Sequence, residues 1–327
     1  VSPVNYGMLV STNGGAGWVD GVWSTNTIIA GDNISSLYPY NGKLYAGGYT
    51  AGVVYQYDGT TWSTAYDLPI TNTFAFMAYN GKLYTAASGG IYVYDGASWS
   101  ASTATVAGYV FSLAVYNGKL YAGTGASAGQ GDILVFDGAT WSVAYDGAQE
   151  SIRSLAVYNG KLYAAQGDGA GDADVLVFDG QIWDTSFNGT DAYMSTLSVY
   201  NNKLYAGSDV VTYVFDGVNW SQSSSVSNIT KALTPFNGKL YAAGQSTAGH
   251  GVIYVFDGAT WFKMVDEPAT SIFSALAAYK GRLYASSYVS STILELTPFN
   301  ALLSGSEGAT TLQTLTALLY TGTTGQF

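Results

Sequence analysis

The pentapeptide Asn-Gly-Lys-Leu-Tyr occurs at 41–45, 80–84, 117–121, 159–163 and 237–241, with variants Asn-Asn-Lys-Leu-Tyr at 201–205 and Lys-Gly-Arg-Leu-Tyr at 280–284. Successive copies start 39, 37, 42, 42, 36 and 43 residues apart. Between them a second motif, Asp-Gly-x-x-Trp, recurs at Asp58–Trp62, Asp95–Trp99, Asp137–Trp141, Asp179–Trp183, Asp216–Trp220 and Asp257–Trp261. A chain repeating at this period is built from one supersecondary unit that must bury its faces against copies of itself.

The unit at 151–188 reads as four short strands. Ser151–Tyr158 alternates as strand A, and Asn159-Gly160 is a two-residue hairpin, because a type I′ turn needs positive φ at both central positions. Lys161–Ala165 is strand B, Asp174–Phe178 strand C, Asp179-Gly180 a second tight turn, and an outer strand D starts at Trp183. Four antiparallel strands repeated about every 40 residues, with no helical periodicity, predict an all-β β-propeller of four-stranded antiparallel blades.

Length divided by period gives about eight blades. The tail segment Thr316–Gly322 keeps a Leu-Tyr-x-Gly end and follows an alternating Thr311–Leu315, which reads as strands A and B of a degenerate eighth unit. Met8–Thr12 would be its strand C, and the segment with Trp18 and Trp23 its outer strand, closing the ring within residues 1–327 as a single domain and leaving no sheet edge. The alternative is seven blades, the N-terminal strand completing the unit at 272–297 and residues 298–327 forming a tail. The two counts diverge at Thr297-Pro298-Phe299-Asn300, where unit seven lacks the Asp-Gly-x-x-Trp turn.

Composition narrows the chemistry. The 327 residues include no cysteine, so disulfides, thiolate metal sites and cysteine nucleophiles are excluded. With His250 the single histidine, multi-histidine metal sites are excluded as well. A net charge of −11 and only two arginines argue against nucleic acid, whose phosphates need Lys and Arg. No stretch of about 18 residues is free of polar interruption, so membrane insertion is not expected. The chain starts at Val1, with no basic segment leading into an apolar run, and is expected to be a mature or trimmed form.

The repeated residues are structural: Asn-Gly and Asp-Gly make turns, the Leu-Tyr pair is one buried and one half-buried position, and the tryptophans pack blade against neighbour or rim. Both turn types emerge on one face of the disc. The opposite loops, B–C and D–A, differ most between units, and specific recognition is expected there. Their aromatic residues Tyr49, Tyr109, Tyr193 and Tyr288 are candidate ligand platforms. Asp168, Asp172 and Asp174 crowd one glycine-rich loop and are a candidate Ca²⁺ site, although they lack EF-hand order; the other reading is a solvated acidic loop. His250, between two glycines, is a further candidate contact and reads as a loop residue rather than a base.

The tandem pattern resembles kelch-like and other β-propeller repeats, which implies a secreted, cell-surface or viral structural protein. It departs from kelch in lacking a Gly-Gly doublet in most B strands. Ser11–Trp18 resembles the Asp-box of sialidases, with Asn13 replacing its Asp and Gly17 its Thr. A sialidase needs three arginines, and the related copper oxidase needs a cysteine-crosslinked tyrosine, so neither activity is expected. Glycosylation patterns at Asn33, Asn188, Asn219 and Asn228 are compatible with an extracellular setting. The expectation is a non-enzymatic extracellular or virion-surface protein, without cofactor, that binds protein partners or self-assembles. The alternative is a lectin-like carbohydrate-binding propeller.

Overall fold

A computed structural model describes residues 21–298 apart from 30, 103–105, 107, 126–130, 148–150, 168–170, 172, 224–227, 268–270 and 288. Within these residues lie seven four-stranded antiparallel sheets. Each is a blade whose first strand, A, is innermost. The A strands are Ile34–Tyr40, Thr73–Tyr79, Tyr109–Tyr116, Ile152–Tyr158, Met194–Tyr200, Asn228–Phe236 and Phe273–Tyr279, for blades 1 to 7. Each packs beside the next and the seventh beside the first, so the ring is closed.

The count of eight is therefore corrected to seven. Strand D of blade 7 is Gly21–Ile28, pairing antiparallel with strand C, Thr292–Pro298, from Gly21↔Pro298 to Ile28↔Thr292. The missing Asp-Gly-x-x-Trp turn now has its reason: this blade has no C–D hairpin, because its strand D arrives from the other end of the chain. Trp23 does lie on an outer strand, 1 % exposed, but in the blade that begins at Phe273. The segments read as an eighth unit, Met8–Thr12 and 311–322, lie outside the described residues, as does the tail of the seven-blade alternative apart from Pro298, which ends strand C.

Turn chemistry sets each blade. Asn41, Asn80, Asn117, Asn159 and Asn237 hold φ of 45–48°, each followed by a glycine at 71–74°, the type I′ pair. Blade 7 puts Lys280 in that left-handed position, at φ 46°. In each Asp-Gly turn the Asp Oδ1 accepts backbone N–H groups two and three residues on, as Asp137 does from Ala139 and Thr140 at 2.8 Å.

Hydrophobic burial lies between blades. The leucine of every Leu-Tyr pair is fully buried, and the tyrosine is buried too, at 0–6 % exposure, rather than half-buried as the alternation implied. The reason is that its ring enters the seam toward the following blade: Tyr84 of blade 2 meets Phe136 of blade 3 at 6.1 Å. The tryptophan of each Asp-Gly-x-x-Trp motif lies over the last aromatic of its own strand C, as Trp141 on Phe136 at 5.1 Å and 22°. Trp62, Trp141, Trp220 and Trp261 then donate Nε1 to a side chain on strand D of the preceding blade or just after it, Trp62 to Asn26 at 2.7 Å.

Candidate functional site: the axial mouth

Near the start of every A strand the pairing register with strand B slips by one residue. The skipped residues are Ser35, Phe74, Phe111, Arg153, Ser195, Lys231 and Ser274, each six positions before the turn that ends its strand. A bulge re-aims one side chain out of the alternating pattern. Here it turns all seven toward one cavity of about 230 Å³, on the axis at the end carrying the B–C and D–A loops, with Tyr49 as the eighth lining residue. The preceding position is buried in every blade and the following one is small. The column between them is free to vary.

The mouth is two-sided. Blades 4 and 6 contribute Arg153 and Lys231, and Tyr193 stands between them, its ring 5.0 Å from the Arg153 guanidinium and 4.7 Å from Lys231 Nζ. Arg153 also lies 5.4 Å from the Phe111 ring and donates Nε to the Gly167 carbonyl. Burial, together with Arg153, pushes the Lys231 ammonium down to about 8, while Asp209 acts against that shift. Asp209 Oδ1 accepts the N–H groups of Ala192 and Tyr193, holding the loop that carries the tyrosine. Asp191 braces the same loop by accepting Ser208 Oγ at 2.6 Å and the Tyr213 hydroxyl, which burial and this bond push up to about 12.

Blades 1 to 3 make the aromatic side. Phe74 meets Phe111 at 5.0 Å, Tyr109 at 5.5 Å and Tyr49 at 6.2 Å, all edge to face. Tyr49 and Tyr109 are 38 % and 39 % exposed. The loop bearing Tyr49 is anchored on Asp32, which is 2 % exposed and accepts Thr50 N, Ala51 N and the Tyr55 hydroxyl.

The hydroxyls differ. Ser35 and Ser274 donate to carbonyls of the following blade, at Thr73 and Ile34. Ser195 Oγ, between the two cationic blades, is buried with no hydrogen-bond partner among the described residues.

Of the residues singled out from sequence, Tyr49, Tyr109 and Tyr193 thus come together at the mouth. His250 does not: its Nδ1 lies 2.8 Å from Asp266 Oδ1 on the outer strand of blade 6, at the rim. Asp174 accepts the Gly189 N–H beside strand C of blade 4. Asp168, Asp172 and Tyr288 lie outside the described residues. Among the described residues no three His, Asp or Glu side chains are grouped to hold a metal ion. Sequence reasoning missed Arg153, Lys231 and the other bulged residues. Aligning the units on their turns would have exposed them as the one varying column within strand A.

No family model matches the sequence, and no curated protein does. Solved structures match in shape. A catalytically inactive virginiamycin B lyase from Staphylococcus aureus with quinupristin is similar at TM-score 0.69 and 9 % identity, over 83 % of this chain and 97 % of that one. The extracellular domain of BT4673 from B. thetaiotaomicron, described as a hybrid two component system, is similar at TM-score 0.67 and 12 % identity. That match covers 85 % of this chain and 40 % of the other, so the present chain spans about two fifths of the length of that extracellular domain. The WD40 β-propeller domain of Doa1 is similar at TM-score 0.63 and 11 % identity, over 85 % and 97 %. At such identities the likeness defines the class, a β-propeller, and nothing narrower. Among the described residues no helix is long and apolar enough to cross a membrane.

Proposed function

We propose that the protein is a non-enzymatic interaction disc of an extracellular or virion surface, engaging a protein partner through the face that carries the B–C and D–A loops. The observation that supports it is the bulged column. A scaffold that repeats its turns, core and seams from blade to blade confines its variation to one axial mouth and the loops around it, which is where recognition is placed on a rigid frame. The residues lining the mouth include no carboxylate or histidine. Lys231 donates to the Tyr193 hydroxyl at 3.4 Å rather than to Ser195, so the serine has no base beside it of the kind that activates a nucleophile. An extracellular domain among the structural neighbours is consistent with the setting.

Photo-crosslinking in the native source tests this. A photoreactive residue at Tyr49 or Tyr109 is expected to give discrete protein adducts, and one at Thr60 or Ala97, in the Asp-Gly turns of the opposite face, none. Equal adducts from both faces, or none from either, overturn the proposal.

A further inference from the structure

We propose that the axial mouth is a binding site for a ring bearing a carboxylate, with the ring against Phe74, Phe111 and Tyr49 and the carboxylate between Arg153 and Lys231. The site is complete within one chain and needs no protein partner, so it stands or falls separately from the docking role above.

Charge placement is the first argument. The chain carries a net −11, and eight of its 11 bases sit in or directly after the A–B turns. Two of the remaining three share one half-buried mouth and one tyrosine ring. Like charges held together out of bulk water repel, and the repulsion becomes attraction when an anion lies between them. Arg153 offers the planar fork that matches a carboxylate, and Lys231 a point charge. Asp209 offsets part of the pair's charge. That balance suits one carboxylate better than a dianion.

The unmet polar group is the second argument. In this column the two serines of blades 1 and 7 have their hydroxyls committed to the next blade, whereas Ser195, flanked by the cationic blades, has a buried oxygen with no partner among the described residues. A ligand oxygen would supply one. The third argument is shape. The opposite wall presents exposed aromatic faces and edges, and 230 Å³ lies below the roughly 300–1,000 Å³ of pockets for drug-sized molecules, so the site fits a single ring with its substituent.

Two sources carry that chemistry, an acidic sugar and an aromatic acid. Titration calorimetry and saturation-transfer NMR with methyl glucuronide and with 4-hydroxyphenylacetate separate them, with methyl glucoside and 4-hydroxyphenylethanol as uncharged counterparts. At least one acid is expected to saturate below ~10 mM, a weak but specific range, and to bind at least about tenfold more tightly than its counterpart, the factor set by one charge-assisted contact. Lys231→Met and Arg153→Gln should each weaken it about tenfold with unchanged melting curves, while Lys231→Arg retains binding.

Affinity should fall as pH rises through about 8, because Lys231 then loses its proton. The charged and titratable groups facing it are Arg153, Asp209 and Tyr193, of which the tyrosine is pushed up by burial and by Asp209. No saturation by either acid, equal binding of the uncharged counterparts, tighter binding of phenyl phosphate, or a folded Lys231→Met that binds unchanged would each overturn the proposal.

Discussion

At the scale of single residues, the inner tyrosines sew the ring. The hydroxyl ending strand A donates to a carbonyl in the A–B turn of the next blade from Tyr40, Tyr79, Tyr116, Tyr158 and Tyr200, and Tyr279 completes the circle onto Gly42 at 2.7 Å. Blade 6 breaks it, because Phe236 has no hydroxyl. Phe236→Tyr is expected to add the missing bond and stabilise by ~1 kcal/mol, and Tyr116→Phe to lose about as much, both read from denaturant midpoints. A second departure is Lys280 at φ 46°, where the other blades place asparagine. These positions were legible as turn chemistry. The hydroxyl bonds were not, since a Leu-Tyr or Val-Tyr pattern states burial but not which blade the oxygen reaches. The cations of the mouth were missed for a different reason. Arg153 and Lys231 lie inside strand A, where strict alternation gives them no special direction, and only the bulge does.

At the scale of the element, the two hairpins respond differently to pH. Asp58, Asp95, Asp137, Asp179, Asp216 and Asp257 are held below the usual carboxylate range, chiefly by the N–H groups two and three residues on. A depressed folded-state pKa contributes stability that is present above the unfolded value, about 3.9, and is lost as pH falls through the folded one. Melting temperature should therefore decline below about pH 4, where unfolded-state aspartate takes up its proton, and a chain with these six changed to asparagine should decline less steeply. The A–B turns, set by Asn-Gly backbone geometry, should show no such dependence. Where strand B nears the axis the blades approach closely. A Cβ on Gly123 would stand 2.5 Å from Ile152 Cγ2 and from Ser112 Oγ. Gly123→Ala is expected to destabilise by ~1–3 kcal/mol, the cost of overpacking a filled core, measured by calorimetric melting. Strand order and turn type were read correctly from the unit at 151–188 because both depend on local signals. The one-residue slip in strand A carries no local signal in a single unit.

At the scale of the whole molecule, closure decides the fold. Asn26 on the N-terminal strand donates to Glu295 at 2.8 Å, accepts Trp62 Nε1 from blade 1, and so joins the two ends of the ring, while Arg282 pairs with the buried Glu295. The propeller was legible because the repeat is strong. The blade number was not, because dividing length by period assigns every residue to a blade, and the closing blade lacks the turn motif since its strand D comes from the other end of the chain. Trp23→Ala is expected to cost ~3–5 kcal/mol, the range for a buried tryptophan. Val22→Cys with Thr297→Cys, a facing pair in a chain without native cysteine, should raise stability by up to ~5 kcal/mol when oxidised, and reductant should reverse it. The same closure has a consequence in time. During synthesis the N-terminal strand is made before any of its ladder, and its partner follows about 270 residues later, roughly 15–50 s at common elongation rates. Through that interval six complete blades stand as an open arc with bare seams at either end, and a ribosome that stalls before Thr292 leaves the arc unable to become a disc.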